Sequence, residues 1–333
     1  MNNFINFDDF DRESVEEAIE IGINEKNKFY SEDFEIKLNK KFGVLLFEKP
    51  SLRTKLSFIK ALNYNGINDI YFSPDEVGLG KREKVSDVAK VISKMSDIAI
   101  LRTYKHSTIE EFAKYSTIPV INALSDMEHP CQALSDLLTI TEKIGENLIG
   151  LNFTFVGDGN NVATSLAKAI VMFGGNFTHS CPKGYEIPKK DLENINSLSK
   201  KYNGNFDIEN DMNLSITKSD IIYTDVWASM GQENQEAQRK LDFKKYQLGP
   251  SHIEKNNAFF MHDLPAHHGD EITENLVDHP NSIVFEQSEN RIWGQLGIIK
   301  KIVEETVTRE GLSFIGWRKV PINQKKANVG PAA

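Results

Sequence analysis

Residues Gly43-Val44-Leu45-Leu46-Phe47-Glu48-Lys49-Pro50-Ser51-Leu52-Arg53-Thr54-Lys55 carry the transition that decides the fold class. The short apolar run Gly43–Phe47 reads as a buried strand, bounded by charge and by a proline. Pro50 stops regular pairing, and Ser51 opens a helical start. The helix is expected from about Thr54, with Leu56, Ile59 and Leu62 inward and Gly66 beyond its end. A strand that hands over directly to a helix is the repeating unit of a parallel sheet with helices on its faces.

The alternation continues outward. Upstream, Asp11 or Ser14 can cap a first helix carrying Val15, Ala18, Ile19 and Ile23 on one face. Downstream, strands are expected at Ile70–Phe72, Ile98–Leu101 and Val120–Ile121, with a helix over Val85–Ile92. Ser107 with Glu110 reads as a capping box for the helix that ends before Pro119. A long helix is expected from His129 to Ile144, flanked by Gly145 and Gly150. The pattern then restarts with strand Leu151–Val156, helix Val162–Phe173, the stop Gly174-Gly175 and strand Asn176–His179. Further strands are expected at Ile221–Tyr223, Phe259–Met261 and Ile283–Phe285, and a last helix over Asn290–Glu305. This reads as two doubly wound α/β domains with parallel sheets, residues 1–145 and 146–289, joined by long helices. A C-terminal helix over 290–310 and a loosely docked tail over 311–333 follow.

Composition fits that reading. The chain has 333 residues, 40% hydrophobic and 26% charged, which excludes general disorder. A net charge of −9 disfavours non-specific nucleic-acid binding. No apolar run approaches the ~20 residues of a membrane-spanning helix, and the N-terminus lacks a basic, then apolar, leader. Two cysteines, Cys131 and Cys181, make no disulfide framework or metal motif. A cytoplasmic location is expected.

Six segments carry polar groups where a parallel sheet presents ligands. Ser51-Leu52-Arg53-Thr54 puts hydroxyls, a guanidinium and unpaired helix N–H groups together, a phosphate cradle or simply a capped helix with an exposed Arg. His129-Pro130-Cys131-Gln132 places His and Gln one turn apart, able to bind a carbonyl and an amide, or to serve as a cap and a surface residue. Gly157-Asp158-Gly159-Asn160-Asn161-Val162 resembles a dinucleotide turn, but Val162 stands where the last small residue belongs, and the ribose-binding carboxylate about twenty residues on is missing. A small polar ligand suits Asn160 and Asn161 better. Asp225 in Asp225-Val226-Trp227-Ala228-Ser229-Met230 can hold an ammonium, and Trp227 and Met230 are unusual together in a plain solvated loop. His262-Asp263-Leu264-Pro265-Ala266-His267-His268-Gly269-Asp270 is rich in His and Asp but matches no zinc spacing. Arg291 opens the last helix and is ordinarily a surface residue there.

In this order, and over about residues 4 to 308, the six segments resemble the aspartate/ornithine carbamoyltransferase family, on the ornithine side. The resemblance implies transfer of a carbamoyl group from carbamoyl phosphate to the δ-amino group of ornithine, giving citrulline and phosphate, with no metal or organic cofactor. It implies that Ser51, Leu52 (through its N–H), Arg53, Thr54 and Arg291 bind the phosphate, and that Arg102 and His129 polarise the carbamoyl carbonyl. Gln132 and the Leu264 carbonyl would hold the carbamoyl NH₂, and Asn161, Asp225, Ser229 and Met230 the amino acid. It further implies a homotrimer with active sites at subunit boundaries and a last helix that packs back on the first domain. The alternatives are a carbamoyltransferase with another amine acceptor and a weakly catalytic paralogue that binds a ligand or partner.

Three positions depart from the family's ornithine pattern: Leu52 replaces a Thr, Gly78 a Gln that reaches a neighbouring subunit's site, and Asp263 a Cys. With Gly78 bare, one of Lys81, Arg82 and Lys84 is expected to reach the neighbouring site instead. An ionised Asp263 ~4 Å from the acceptor amine would favour its ammonium and deplete the neutral nucleophile ~10–1,000-fold. Asp263 therefore either holds a proton, or acts as general base, or binds a second polar or cationic group on a different acceptor. The last of these is expected, with ornithine a poor substrate.

Overall fold

Among the residues described in the computed structural model (3–31, 33–36, 40–228 and 232–314), nine strands pair in parallel into two sheets. In chain order the elements are α1 (Arg12–Tyr30), β1 (Phe42–Phe47), α2 (Leu52–Tyr64), β2 (Asn68–Phe72), α3 (Pro74–Val77), α4 (Val85–Met95), β3 (Ile98–Arg102), α5 (His106–Tyr115), β4 (Val120–Leu124) and α6 (Pro130–Ile144). Then come β5 (Asn152–Val156), α7 (Asn161–Met172), β6 (Asn176–Ser180), α8 (Lys189–Tyr202), β7 (Asn205–Glu209), α9 (Met212–Ser215), β8 (Ile221–Thr224), α10 (Glu236–Asp242), α11 (Pro250–Glu254), β9 (Phe259–His262) and α12 (Val284–Phe314). The sheets have strand orders β2-β1-β3-β4 and β7-β6-β5-β8-β9. None of these helices is long and apolar enough to cross a membrane.

The unbroken apolar strands follow from burial on two faces. Successive side chains of a strand point to opposite sides. Val44, Leu46, Ala99 and Leu101 join Ala89, Ile109 and Phe112 in one core, while Leu45, Phe47, Ile98 and Ile100 join Phe58, Leu62 and Leu134 in another. The second sheet divides likewise: Phe153, Phe155 and Tyr223 face one core, Val156, Ile222 and Phe260 the other. Helix α12 packs against α1, α2 and α6. The α1–α12 approach is close enough that a Cβ on Gly297 would lie 2.0 Å from the Ala18 carbonyl oxygen.

Four expectations are corrected. Leu56 is 55% exposed, not inward, because α2 starts at Leu52 and buries Thr54, Ser57, Phe58, Ala61 and Leu62. The Ser107–Glu110 capping box does not form: α5 starts at His106, whose N–H donates to Asp126 Oδ1 at 2.7 Å, so a distant carboxylate replaces the local cap. Ile283–Phe285 is not a strand. One bridge joins Ser282 to Phe260, and the Gln287 N–H then donates to the Ile283 carbonyl to close a helical turn. Helix α12 therefore starts six residues early, at Val284 rather than Asn290, and Gly311–Phe314 are helical rather than tail. Residues 315–333 of the expected tail lie outside the described residues.

Candidate active site

The site follows from where parallel strands end. Strand order reverses direction between β1 and β3 and again between β5 and β8, and chains leaving such neighbours diverge, opening a crevice beyond their carboxyl ends. β1 runs into Ser51–Thr54, and Arg102 ends β3 opposite Phe47. β5 runs into Asn160 and Asn161, β8 into Asp225, and β9 into Asp263 and Leu264.

A cavity of about 300 Å³ lies at these ends, lined by Ser51, Leu52, Arg53, Thr54, Arg102, His129, Asp263, Leu264 and Arg291. Ser51 is the α2 N-cap; its Oγ accepts from the Thr54 N–H at 3.3 Å and donates to Thr54 Oγ1 at 2.9 Å. Thr54 Oγ1 also accepts from Arg291 at 2.7 Å and from Arg102 at 3.4 Å, so one hydroxyl gathers two buried guanidinium groups at the helix start. Burial and then the Arg291 charge push Arg102 down to about 9. Burial also lowers Arg53 and Arg291, with Asp263 pulling both back up. Three like charges clustered around a cavity form a site that gains from receiving an anion.

The unpartnered atoms point the same way. Arg102 Nε, Arg291 Nε, His129 Nδ1, Gln132 Oε1 and Asp263 Oδ1 are buried without hydrogen-bond partners. Buried polar groups are normally paired, so such a cluster marks a ligand's place. Burial, then Arg291 and Arg102, hold His129 well below its ordinary pKa, so its imidazole is neutral at physiological pH. Gln132 donates its amide to Asp136 Oδ1 at 2.9 Å, which fixes the amide orientation and leaves Oε1 as a free acceptor. Cys131 is fully buried and its Sγ points to the Asn122 carbonyl; burial pushes its thiol far up, which makes it packing rather than chemistry.

On the second sheet, Asn160 donates to Asp225 Oδ2 at 2.7 Å and orients that carboxylate. Asn161 donates to the Ser125 carbonyl at 2.6 Å, tying the start of α7 to the loop before α6. Gly159 is required by close approach, since a Cβ there would lie 2.3 Å from the Ile187 nitrogen. Its role is loop packing and no pyrophosphate need be invoked. Ser229 and Met230 lie outside the described residues. Leu264 adopts φ +60°, a left-handed conformation that costs a residue with a Cβ on the order of 1–3 kcal/mol and is found where a turn must aim a group.

Atoms of Asp225, His262 and Asp263 lie within 4.8 Å of one another, close enough to raise a metal site. The donor set does not suit one. His262 Nδ1 accepts the Leu264 N–H at 2.9 Å and Nε2 faces Glu271 Oε1 at 3.2 Å, so the ring has no lone pair to give.

Two supports escaped sequence reading. Asp136 lies beneath Gln132 and also accepts from Gln287 at 2.8 Å and Tyr223 at 3.3 Å; burial pushes it up to about 7. Glu128 accepts from Lys168 and, at 2.6 Å, from Ser165 Oγ, which in turn accepts the His129 N–H at 2.9 Å. Asp136 sits one turn beyond Gln132, a spacing that could have flagged it; nothing local links Glu128 to Lys168.

Known proteins match along the whole site. The model described as "Aspartate/ornithine carbamoyltransferase, carbamoyl-P binding domain" matches residues 2–142, and that of the "Asp/Orn binding domain" matches residues 149–302. The ornithine carbamoyltransferase of Picrophilus torridus is 38% identical over 88% of this chain and 96% of its own length. The anabolic ornithine carbamoyltransferase of Pyrococcus furiosus is 40% identical over 78% of this chain and 82% of its own. A solved structure of ornithine carbamoyltransferase from Pyrococcus furiosus superposes with a TM-score of 0.86 at 36% identity, covering 90% of this chain and 96% of that one. The anabolic enzyme of Campylobacter jejuni gives 0.86 at 29% identity, covering 92% and 100%. With the segments, the sheet order and these relatives in agreement, the chain belongs to the aspartate/ornithine carbamoyltransferase family.

Proposed function

We propose that the chain moves the carbamoyl group of carbamoyl phosphate to the side-chain amine of ornithine or a close diamino acid, releasing phosphate and citrulline or its analogue. The observation that carries this reading is the clustering of Arg53, Arg102, His129 and Arg291 around one cavity, with buried atoms of the last three unpartnered. Ser51, Arg53, Thr54 and the Leu52 N–H take the phosphate at the positive end of α2, with Arg291 adding charge. Arg102 and neutral His129 polarise the carbonyl, so the oxygen of the tetrahedral intermediate finds donors already aimed. Gln132 Oε1 and the Leu264 carbonyl accept from the carbamoyl NH₂, while Asp225 and Asn161, with Ser229 and Met230, hold the amino acid. The amine attacks, and the C–O bond to phosphate breaks as the arginines hold the leaving dianion.

The division into residues 1–145 and 146–289, bridged by α6 and α12, belongs to this reading, because domain closure would bring amine and carbonyl together. A second reading keeps the donor and changes the acceptor; the extra carboxyl of Asp263 favours one with an additional cationic group. Phosphate release from carbamoyl phosphate across a panel of amines tests both, and no amine-dependent release would reject them. Charged hydrogen bonds contribute about 1.5–3 kcal/mol each. Arg53→Ala is therefore expected to weaken carbamoyl phosphate binding tenfold or more in calorimetry, and unchanged affinity would reject the cradle.

The proposed assembly is a cytoplasmic homotrimer. Leu52, which lines the cavity, and Leu56, a turn on along α2, are exposed apolar groups, which supports a subunit boundary there. Gly78 caps α3 at φ +51°, a conformation glycine adopts freely, and leads into exposed Lys81, Arg82 and Lys84. Sedimentation should give a trimer, and replacing these three cations by Ala should raise the KM for carbamoyl phosphate. A monomeric active protein, or a KM unmoved by the triple change, would sink the shared site.

A further inference from the structure

We propose that Asp263 is the proton acceptor for the side-chain ammonium of the amine substrate, as one half of a carboxyl pair with Asp225 that carries a single proton. The inference rests on the transferase reading and adds a catalytic group to it. Asp263 follows β9 and Asp225 follows β8, and these strands pair side by side, with Thr224 opposite His262. The residue after each strand end is therefore brought against its counterpart, and a carboxyl oxygen of each lies within 4.8 Å of the other's. Two carboxyl groups in such contact need one shared proton. The other Asp263 oxygen, Oδ1, is buried, unpartnered and beside the cavity that holds Arg102 and His129. Leu264, which lines the same cavity, is the next residue, so an amine attacking there passes Asp263.

The groups facing Asp263 come from every neighbouring element: Asp136 from α6, Asp225 and Tyr223 from β8 and its loop, Arg291 from α12, Arg53 from α2 and Arg102 from β3. His262 beside it spends its Nδ1 lone pair on the Leu264 N–H and has no proton to offer at that nitrogen. Burial first, and Asp225 second, hold the Asp263 carboxyl well above the usual carboxylate range, against the pull of Arg291.

The proton count balances. The pair starts with one proton, and binding of the cationic amine expels it to solvent. Asp263 then takes one proton from the ammonium, leaving a neutral amine and the pair again with one. The N–C bond forms, the C–O bond to phosphate breaks, and the second amine proton leaves on the phosphate. Asp263 thus converts the abundant ammonium form into the nucleophile, and the acidic limb of kcat/KM belongs to the carboxyl pair rather than to the amine.

The test is kcat/KM for ornithine from about pH 6 to about pH 10, in wild type and Asp263→Asn, whose amide cannot take the proton. The variant's acidic limb should move at least about one pH unit toward the amine's ~10.5. Its deficit near neutrality should be about tenfold or more and should shrink as pH rises. Carbamoyl phosphate affinity in calorimetry shows whether the variant's site is intact. A wild type that turns over, with a variant profile parallel to it at every pH, overturns the role of Asp263 alone. A wild type that releases no phosphate with any amine overturns the transferase reading, and this one with it. Should the variant not fold, a ¹³C-carboxyl NMR titration of wild type decides: one proton held by the pair near neutrality supports the proposal, and two ionised carboxylates at about pH 6 overturn it.

Discussion

Arg102→Ala is expected to lower kcat about 10²–10³-fold, equivalent to ~2.7–4 kcal/mol of transition-state stabilisation, while leaving the empty protein as stable as before or more so. Both halves come from the same geometry. Arg102 is buried at the end of β3 with Nε unpartnered, and a single long hydrogen bond from it reaches Thr54 Oγ1. Its guanidinium therefore does little for the empty fold and faces the charges of Arg291 and Arg53, which lower its pKa after burial does. Removing it relieves that repulsion and removes the donor aimed at the carbamoyl oxygen. Groups kept for function at a cost in stability behave this way when deleted. Steady-state kinetics and a denaturant melt on the same preparation check it. A kcat within threefold of wild type, or a marked loss of stability, would show that Arg102 serves the fold instead.

Lys168→Met should be the opposite kind of variant, destabilised by about 3–5 kcal/mol. Lys168 is buried in α7 and joins Glu128 and, at 2.7 Å, Asp8. Burial pulls its pKa down, but Glu128 and Asp8 more than offset this and raise it, so the ammonium is held charged. Burial raises Glu128 and the Lys168 charge opposes that rise. Without the lysine the carboxyl is left buried beside Ser165 with no counter-charge. Its folded pKa then stands still further above the unfolded value. The sign follows: a raised carboxyl contributes stability below its unfolded pKa and loses it as pH rises through the folded one. The variant's deficit should therefore be smallest near about pH 4–5 and grow toward neutrality before levelling. Urea midpoints at about pH 5 and about pH 8 read this directly; a deficit that shrinks with rising pH would show that Glu128 is not the group left stranded.

Local information accounts for much of what the sequence determined. Strands, turns and caps are written in neighbours: Val44 to Phe47 alternates faces, Ser51 caps α2 and Asp11 caps α1. Residues placed just past a strand, such as Ser51, Asn160 and Asp225, were legible as ligand positions, because a parallel sheet has only one edge where its loops open a crevice. What only the tertiary structure decided are contacts between residues far apart in the chain. Asp126 replaces the local cap of α5, and Thr54 collects Arg102 and Arg291 from 48 and 237 residues away. Lys168 meets Glu128 across 40 residues, and Asp263 meets Asp225 because β8 and β9 are neighbours. A side chain's charge state depends on burial and on which partner the fold brings to it. Sequence spacing holds neither quantity, so it could place Asp263 at the site but not show that the Asp225 carboxyl lies against it.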